Sequence, residues 1–232
     1  MLNIQLLRTA LITLLLIVNS AALHAATITG EVKFTSERPT LIPLKVSKDQ
    51  DYCGETLPNE SYSIDADGGF RNVVVFIESA PSVAADPKKL NVIENNGCRY
   101  SPRISAMQKG ERLIIKNNDP KLHIPHSYLH DKTVFMLSLP FKNTALEATH
   151  KIREAGLLKL VCDTHAWMLG FMHVFDHPYF AVTDDQGRFT IPNLPFGSYT
   201  LKAWHEEAGI VSQQITVTDE AGVRVLFELT KR

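Results

Sequence analysis

Apolar residues in this chain come almost everywhere in short runs, rich in β-branched and aromatic side chains and bounded by Gly, Pro, Asn or Asp. The runs fall at 28–34, 73–77, 112–116, 157–162, 172–175, 188–191, 199–204, 214–217 and 223–229. Turn signals stand between them at Gly68-Gly69, Asn96-Gly97, Gln186-Gly187 and Phe196-Gly197. This pattern predicts an all-β chain built of sandwich-packed sheets. One helix is predicted, over 144–154. There are no coiled-coil heptads, no low-complexity tract and no tandem repeat.

The run-and-turn pattern changes character near His177-Pro178. Beyond it, 180–201 reads as strand, turn, strand, turn, strand, with turns at 184–187 and 195–197. That tail is short for an independent core, so it is expected to pack on the rest, including the N-terminal strand that begins at Ile28. The predicted division is 1–25, 26–176 and 177–232.

The first segment reads as a secretory signal peptide. Arg8 supplies a positive start, 10–18 a short apolar stretch, and Ser20, Ala21, Ala22, Ala25 and Ala26 the small residues of a cleavage region. Leu23 is a poor fit three positions before a cut after Ala25, and an uncleaved anchor is the alternative. No later segment is long and apolar enough to span a bilayer. The chain is therefore expected to be exported, to the periplasm, with no membrane span once the leader is removed.

Lys and Arg number 24 against 25 Asp and Glu, a net charge of -1 that argues against a nucleic-acid partner. Three cysteines in an exported chain leave one unpaired. Cys53 and Cys98 both lie in loop-like settings, Asp-Tyr-Cys-Gly and Asn-Gly-Cys-Arg, and form the natural disulfide pair. Cys162 is then the free thiol, and a metal bond would explain its survival in an oxidising compartment.

Cys162 opens the run Cys162-Asp-Thr-His165-Ala-Trp167-Met168. Upstream lie His123 and His126, in His123-Ile-Pro-His126. Thiolate, imidazole and thioether suit copper cycling between Cu(I) and Cu(II), and a thioether is a poor zinc ligand. Haem attachment would need Cys-x-x-Cys-His, which is absent. His123 and His126 are expected on opposite faces of an extended segment, so only one would reach the metal; alternation does not say which. Met172 is the alternative to Met168 but reads as core. His130, His150, His173, His177 and His205 read as structural. Trp167 reads as a shield for the site, as part of an electron path, or as packing. The Trp204-His205-Glu206-Glu207 cluster reads as a strand end at the surface. No hydrolase or phosphate-binding motif is present, so no enzyme activity is expected.

The segment from Cys162 to Gly170 resembles the copper loop of amicyanin-type cupredoxins, which share its Cys-x-x-His-x-x-Met spacing and a following Gly. Upstream, 100–110 and 118–123 resemble the strand pair that carries the first histidine of that family. Thr183-Asp-Asp-Gln-Gly-Arg-Phe and Leu194-Pro-Phe-Gly-Ser-Tyr199 match a carboxypeptidase-regulatory-like module. As a whole the chain is similar to exported bacterial proteins of the methylamine-utilisation-like kind. The resemblance implies a cupredoxin-like Greek-key β-sandwich followed by a small carboxypeptidase-regulatory-like, or transthyretin-like, β-sandwich. It implies His123, Cys162, His165 and Met168 as ligands to one type-1 copper. Two positions depart from the family. Ile124 stands where an Asn usually ties the ligand loops together, and Arg103 stands where a His is expected.

The reading is a blue copper protein that passes single electrons between unidentified redox protein partners, with His165 near the surface as the exit. Two alternatives remain. One is a copper-handling protein without redox turnover; the other is an interaction module that holds no metal.

Overall fold

The computed structural model describes residues 24–231. Except for its last two residues, the predicted leader 1–25 lies outside them. The chain is all-β, with two sandwiches and a separate two-stranded pair, Leu44–Lys45 with Thr56–Leu57. Among the described residues no helix is long and apolar enough to cross a membrane.

The first sandwich packs a five-stranded sheet on a four-stranded one. The five-stranded order is Lys132–Met136, Pro125–Leu129, Gly156–Cys162, Leu169–Phe175 and Ile104–Gln108. Its neighbours are antiparallel except the last pair, which is parallel. The four-stranded order is Ala145–Glu147, Arg112–Asn117, Leu90–Asn95 and Tyr100–Ser101. The chain crosses repeatedly between the sheets, so Gly156–Cys162 returns between Pro125–Leu129 and Leu169–Phe175. This is the Greek-key connectivity implied for a cupredoxin-like sandwich. Leu113 and Ile115 alternate inward against Met107, Leu139, Leu158, Leu160 and Met172, all buried.

The second sandwich draws on both ends of the described chain. Ala25–Phe34 lies between Arg188–Pro195, antiparallel, and Val223–Leu229, parallel. The facing sheet runs Phe180–Val182, Val74–Ile77, Gly197–His205 and Gly209–Val217. Ile28, Val32 and Phe34 point into the core with Val225, Phe227 and Leu229. Gly30 completes that inward row because a Cβ there would sit 2.2 Å from the Val225 carbonyl oxygen. Val74, Ile104 and Phe175, with Phe76, Phe171 and Trp204 around them, join the two sandwiches.

The helix predicted over 144–154 does not form. Ala145–Glu147 is an edge strand paired with Arg112–Asn117, and a short 3-10 turn, Thr149–Lys151, follows. Edge pairing with 114–116 satisfies the backbone of 145–147, while Ala148 and Ile152 reach the core from the turn; tertiary pairing overrides local propensity.

Candidate metal centre

Cys162 ends its strand and faces the core end of the first sandwich, buried and free of disulfide. The turn that follows is held by backbone bonds from the His165 N–H to the Cys162 carbonyl, 3.3 Å, and from the Met168 N–H to the His165 carbonyl, 3.0 Å. His123 is placed by an antiparallel bridge to Leu139, with reciprocal backbone bonds of 3.2 and 2.9 Å. Asn117 braces that segment: its amide donates to the carbonyls of Lys121 and Leu139, both at 2.9 Å.

These elements bring three donor atoms together. His123 Nδ1 and His165 Nδ1 are 3.0 Å apart, and Cys162 Sγ lies 3.8 and 3.7 Å from them. Bonds of about 2.0–2.1 Å to nitrogen and about 2.3 Å to sulfur around one ion span a triangle of this size. His123, Cys162 and His165 form a cluster that could hold a metal ion. Met168 is buried in the same apolar cluster as Cys162, beside Trp167. No other histidine contributes a donor to a cluster of this kind among the described residues.

The other ring nitrogens are committed elsewhere. His123 Nε2 donates to Asp119 Oδ2 at 2.9 Å, and His165 Nε2 to Asp49 Oδ2 at 3.0 Å. An ionised carboxylate only accepts, so both Nε2 atoms carry the hydrogen and both Nδ1 lone pairs converge. Two lone pairs 3.0 Å apart repel unless a proton or a cation lies between them. The donor set therefore fits a soft or borderline metal ion.

The charges agree. Burial pushes the Cys162 thiol up, but the polar contacts of its sulfur with His123, His165, Thr164 and the Ile124 N–H outweigh it and bring the pKa down to about 5. The thiol is thus a thiolate at neutral pH, the form that binds metal. Burial likewise pushes Asp119 up, yet bonds from His123, the Cys98 and Gly97 N–H groups and Tyr52 hold it at about 2.

Ile124 leaves the two ligand segments without the Asn side chain, but not without a link. Thr164 Oγ1 donates to the Leu122 carbonyl at 3.0 Å, the Asp163 N–H to the Ile124 carbonyl at 3.1 Å, and the Ile124 N–H to Cys162 Sγ at 3.4 Å. His126 is not at the centre. Its ring lies against Tyr128, and its nitrogens meet Asp163, Thr133 and the Tyr128 hydroxyl. Met172 is a buried core residue opposite Leu158.

Two expectations need correction. His165 is not near the surface: it is 0% exposed, covered by Asp49 and by the Trp167 ring at 5.0 Å. The cover is a strap, 46–57, that carries the short helix Gln50–Cys53 and is bonded to the 97–98 turn through a Cys53–Cys98 disulfide. The strap's Val46 and Leu57 pack with Trp167, whose Nε1 donates to the Cys98 carbonyl at 3.0 Å. Nor do His205 and Glu206 end a strand at the surface. His205 is buried against Phe70, ring centroids 4.1 Å apart, and Glu206 pairs with Arg103. Neither the strap nor Asp119 was legible in the sequence; the only signal was the pairing of Cys53 with Cys98, which tethers Asp49 near Asp119.

Residues 154–225 are similar to polysaccharide lyase family 4, domain II, a match running from just before the Cys162 strand into the last strand. No curated protein matches the chain. Among solved structures the chain is similar to the copper-containing nitrite reductase of Thermus scotoductus SA-01, at 15% identity and TM-score 0.34, over 43% of this chain and 25% of that one. It therefore spans about a quarter of that reductase. It is also similar to a reduced tryptophan-to-tyrosine variant of amicyanin, at 20% identity and TM-score 0.33, over 43% of this chain and 97% of that one. A purple cupredoxin from Nitrosopumilus maritimus matches at 23% identity and TM-score 0.30, over 36% and 97%. The class of the fold rests on the strand order, and the site on its side-chain geometry.

Proposed function

We propose that this is an exported, periplasmic type-1 copper protein, not an enzyme, that carries single electrons between redox protein partners. The observation that carries the reading is the convergence of His123 Nδ1, His165 Nδ1 and Cys162 Sγ, all buried, with edges of 3.0, 3.7 and 3.8 Å. Met168, buried beside them, is the axial ligand in this reading. Copper held there would supply a one-electron couple.

The chain's own contribution is to keep water out and the ligands still. Thr164, Asn117 and the backbone bonds around Ile124 fix the two ligand segments against each other. A site that cannot relax differs little between oxidation states, which lowers the cost of electron transfer. The strand pairing suggests the division of labour. The sandwich spanning 90–175 holds the site. The C-terminal region 177–232, joined by Ala25–Phe34 and Val74–Ile77, buttresses it.

One observation favours a second reading, copper handling without redox turnover: the strap over His165 closes the edge through which a partner would exchange electrons. Anaerobic loading with Cu(I) followed by oxidation separates the two. A carrier takes one equivalent and cycles reversibly; a handling protein binds Cu(I) and yields no stable oxidised form.

A further inference from the structure

Both histidines of the cluster are held by carboxylates, and the two carboxylates are tied to one disulfide. Asp119 accepts the N–H groups of Gly97 and Cys98 at 2.7 and 2.9 Å, the Tyr52 hydroxyl at 3.0 Å, and His123. Asp49 immediately precedes the helix Gln50–Cys53, and its carbonyl accepts the Cys53 N–H at 2.9 Å. The Cys53–Cys98 bond therefore joins the segment that presents Asp49 to the turn whose N–H groups hold the Asp119 carboxylate. Lys121, on the segment leading to His123, bridges to Asp49 at 3.5 Å and to Asp51 at 2.6 Å.

We propose that Asp49 and Asp119 are positioning residues of the metal centre. Each takes the Nε2 hydrogen of one histidine and so commits that ring to bind through Nδ1. Asp49 also sets a negative charge on the outer edge of His165, which favours the more oxidised metal. This rests on the copper reading above.

The physical basis is the limited choice open to an imidazole. A neutral ring has one N–H, and the partner of one nitrogen decides which nitrogen is left to bind metal. Hydrogen bonding of a ligand histidine to a carboxylate fixes ring direction and raises ligand basicity. The two carboxylates differ in surroundings. Asp119 is fully buried with four donors on it, so its charge is dispersed. Asp49 is partly exposed, and among the described residues its side-chain partners are His165 and Lys121. Replacing Asp119 by Asn would turn an amide toward the Gly97 and Cys98 N–H groups and disturb the turn. Asp49 is the cleaner position, because an Asn oxygen there still accepts from His165 without the charge.

The experiment compares the mature wild-type protein with Asp49→Asn and Asp49→Glu, each loaded with copper. Metal content, visible spectrum and midpoint potential are recorded. The expected result is that Asp49→Asn keeps one copper and its visible band while Cu(I) gains at least tenfold over Cu(II). That is an upward shift of about 59 mV for a one-electron couple. Asp49→Glu should return most of the way to wild type. An Asp49→Asn potential equal to wild type overturns the proposal, since a purely structural role leaves the couple unmoved. Nitrogen NMR of the metal-free wild type at mildly alkaline pH gives a readout independent of copper. Both rings should carry a hydrogen on Nε2, and a His165 ring with none on Nε2 overturns the proposal. A wild type that takes up no copper yet shows both Nε2–H rings rejects the copper reading while retaining the positioning.

Discussion

Arg103 and Glu206 form a two-point ion pair across the junction of the sandwiches, Nε to Oε1 at 2.7 Å and Nη2 to Oε2 at 2.6 Å. Arg103 Nη1 also donates to the carbonyl of Leu169, the residue after Met168, at 3.0 Å. One side chain thus links the end of the ligand loop to the second sandwich. This gives Arg103 a role that the expected His could not fill, because only a guanidinium makes the fork and the third bond together.

Arg103→Ala should therefore destabilise the protein by about 3–5 kcal/mol, because it strands a carboxylate that burial already pushes up in pKa. Arg103→Met combined with Glu206→Gln should recover much of the loss, as uncharged groups carry no stranded charge. Denaturant midpoints of the two variants check this. Equal losses in both would mean that the packing, not the ion pair, matters.

The Cys53–Cys98 bond closes a loop between residues 45 positions apart. Replacing both with Ser should cost about 2–4 kcal/mol. It should also loosen the strap, so that amide exchange quickens in 46–57 before it does in the sheets. Hydrogen-exchange mass spectrometry of the double variant reads both effects.

Acid should weaken the fold through two buried histidines. Burial lowers the pKa of His205 to about 3 and that of His173 to about 4. The unfolded values are about 6.5, so below that pH the unfolded chain binds more protons than the native one. The contribution is complete above about pH 6.5 and is lost progressively as pH falls toward the native values. At pH 5 His205 alone should cost on the order of 2 kcal/mol relative to neutral pH. His205→Asn keeps an acceptor for the Glu207 and Ala208 N–H groups, and its denaturation midpoint should fall less between pH 7 and about pH 5.

His123→Ala should abolish metal binding, whereas His126→Ala should leave it within about twofold, since His126 faces Asp163 and Tyr128 rather than the cluster. Copper titration of both variants decides it. A larger loss in His126→Ala would show that the ligand set is wrong.

Much of the fold is written in local pattern. The stretch 223–229 buries Val225, Phe227 and Leu229 and exposes Arg224, Leu226 and Glu228, and it forms the strand Val223–Leu229. Cys162 and His165 are legible because three residues of one turn carry their geometry. Long-range features are not. Nothing local to Asp49 announces that its carboxylate meets a ring 116 positions away. The helix expected over 144–154 failed for the same reason: whether 145–147 pairs with a strand depends on where the chain brings Arg112–Asn117. His205 and Glu206 look like surface residues because polar side chains usually are, and only the second sandwich buries them.

The central claim is that His123, Cys162 and His165 hold copper through a thiolate. Visible absorption of the Cu(II)-loaded protein, with copper content measured on the same sample, tests it most directly. One copper per chain and an intense charge-transfer band, lost in Cys162→Ser because a hydroxyl cannot supply that transition, is the predicted result. Copper bound without the band, or a band unchanged in Cys162→Ser, would contradict it.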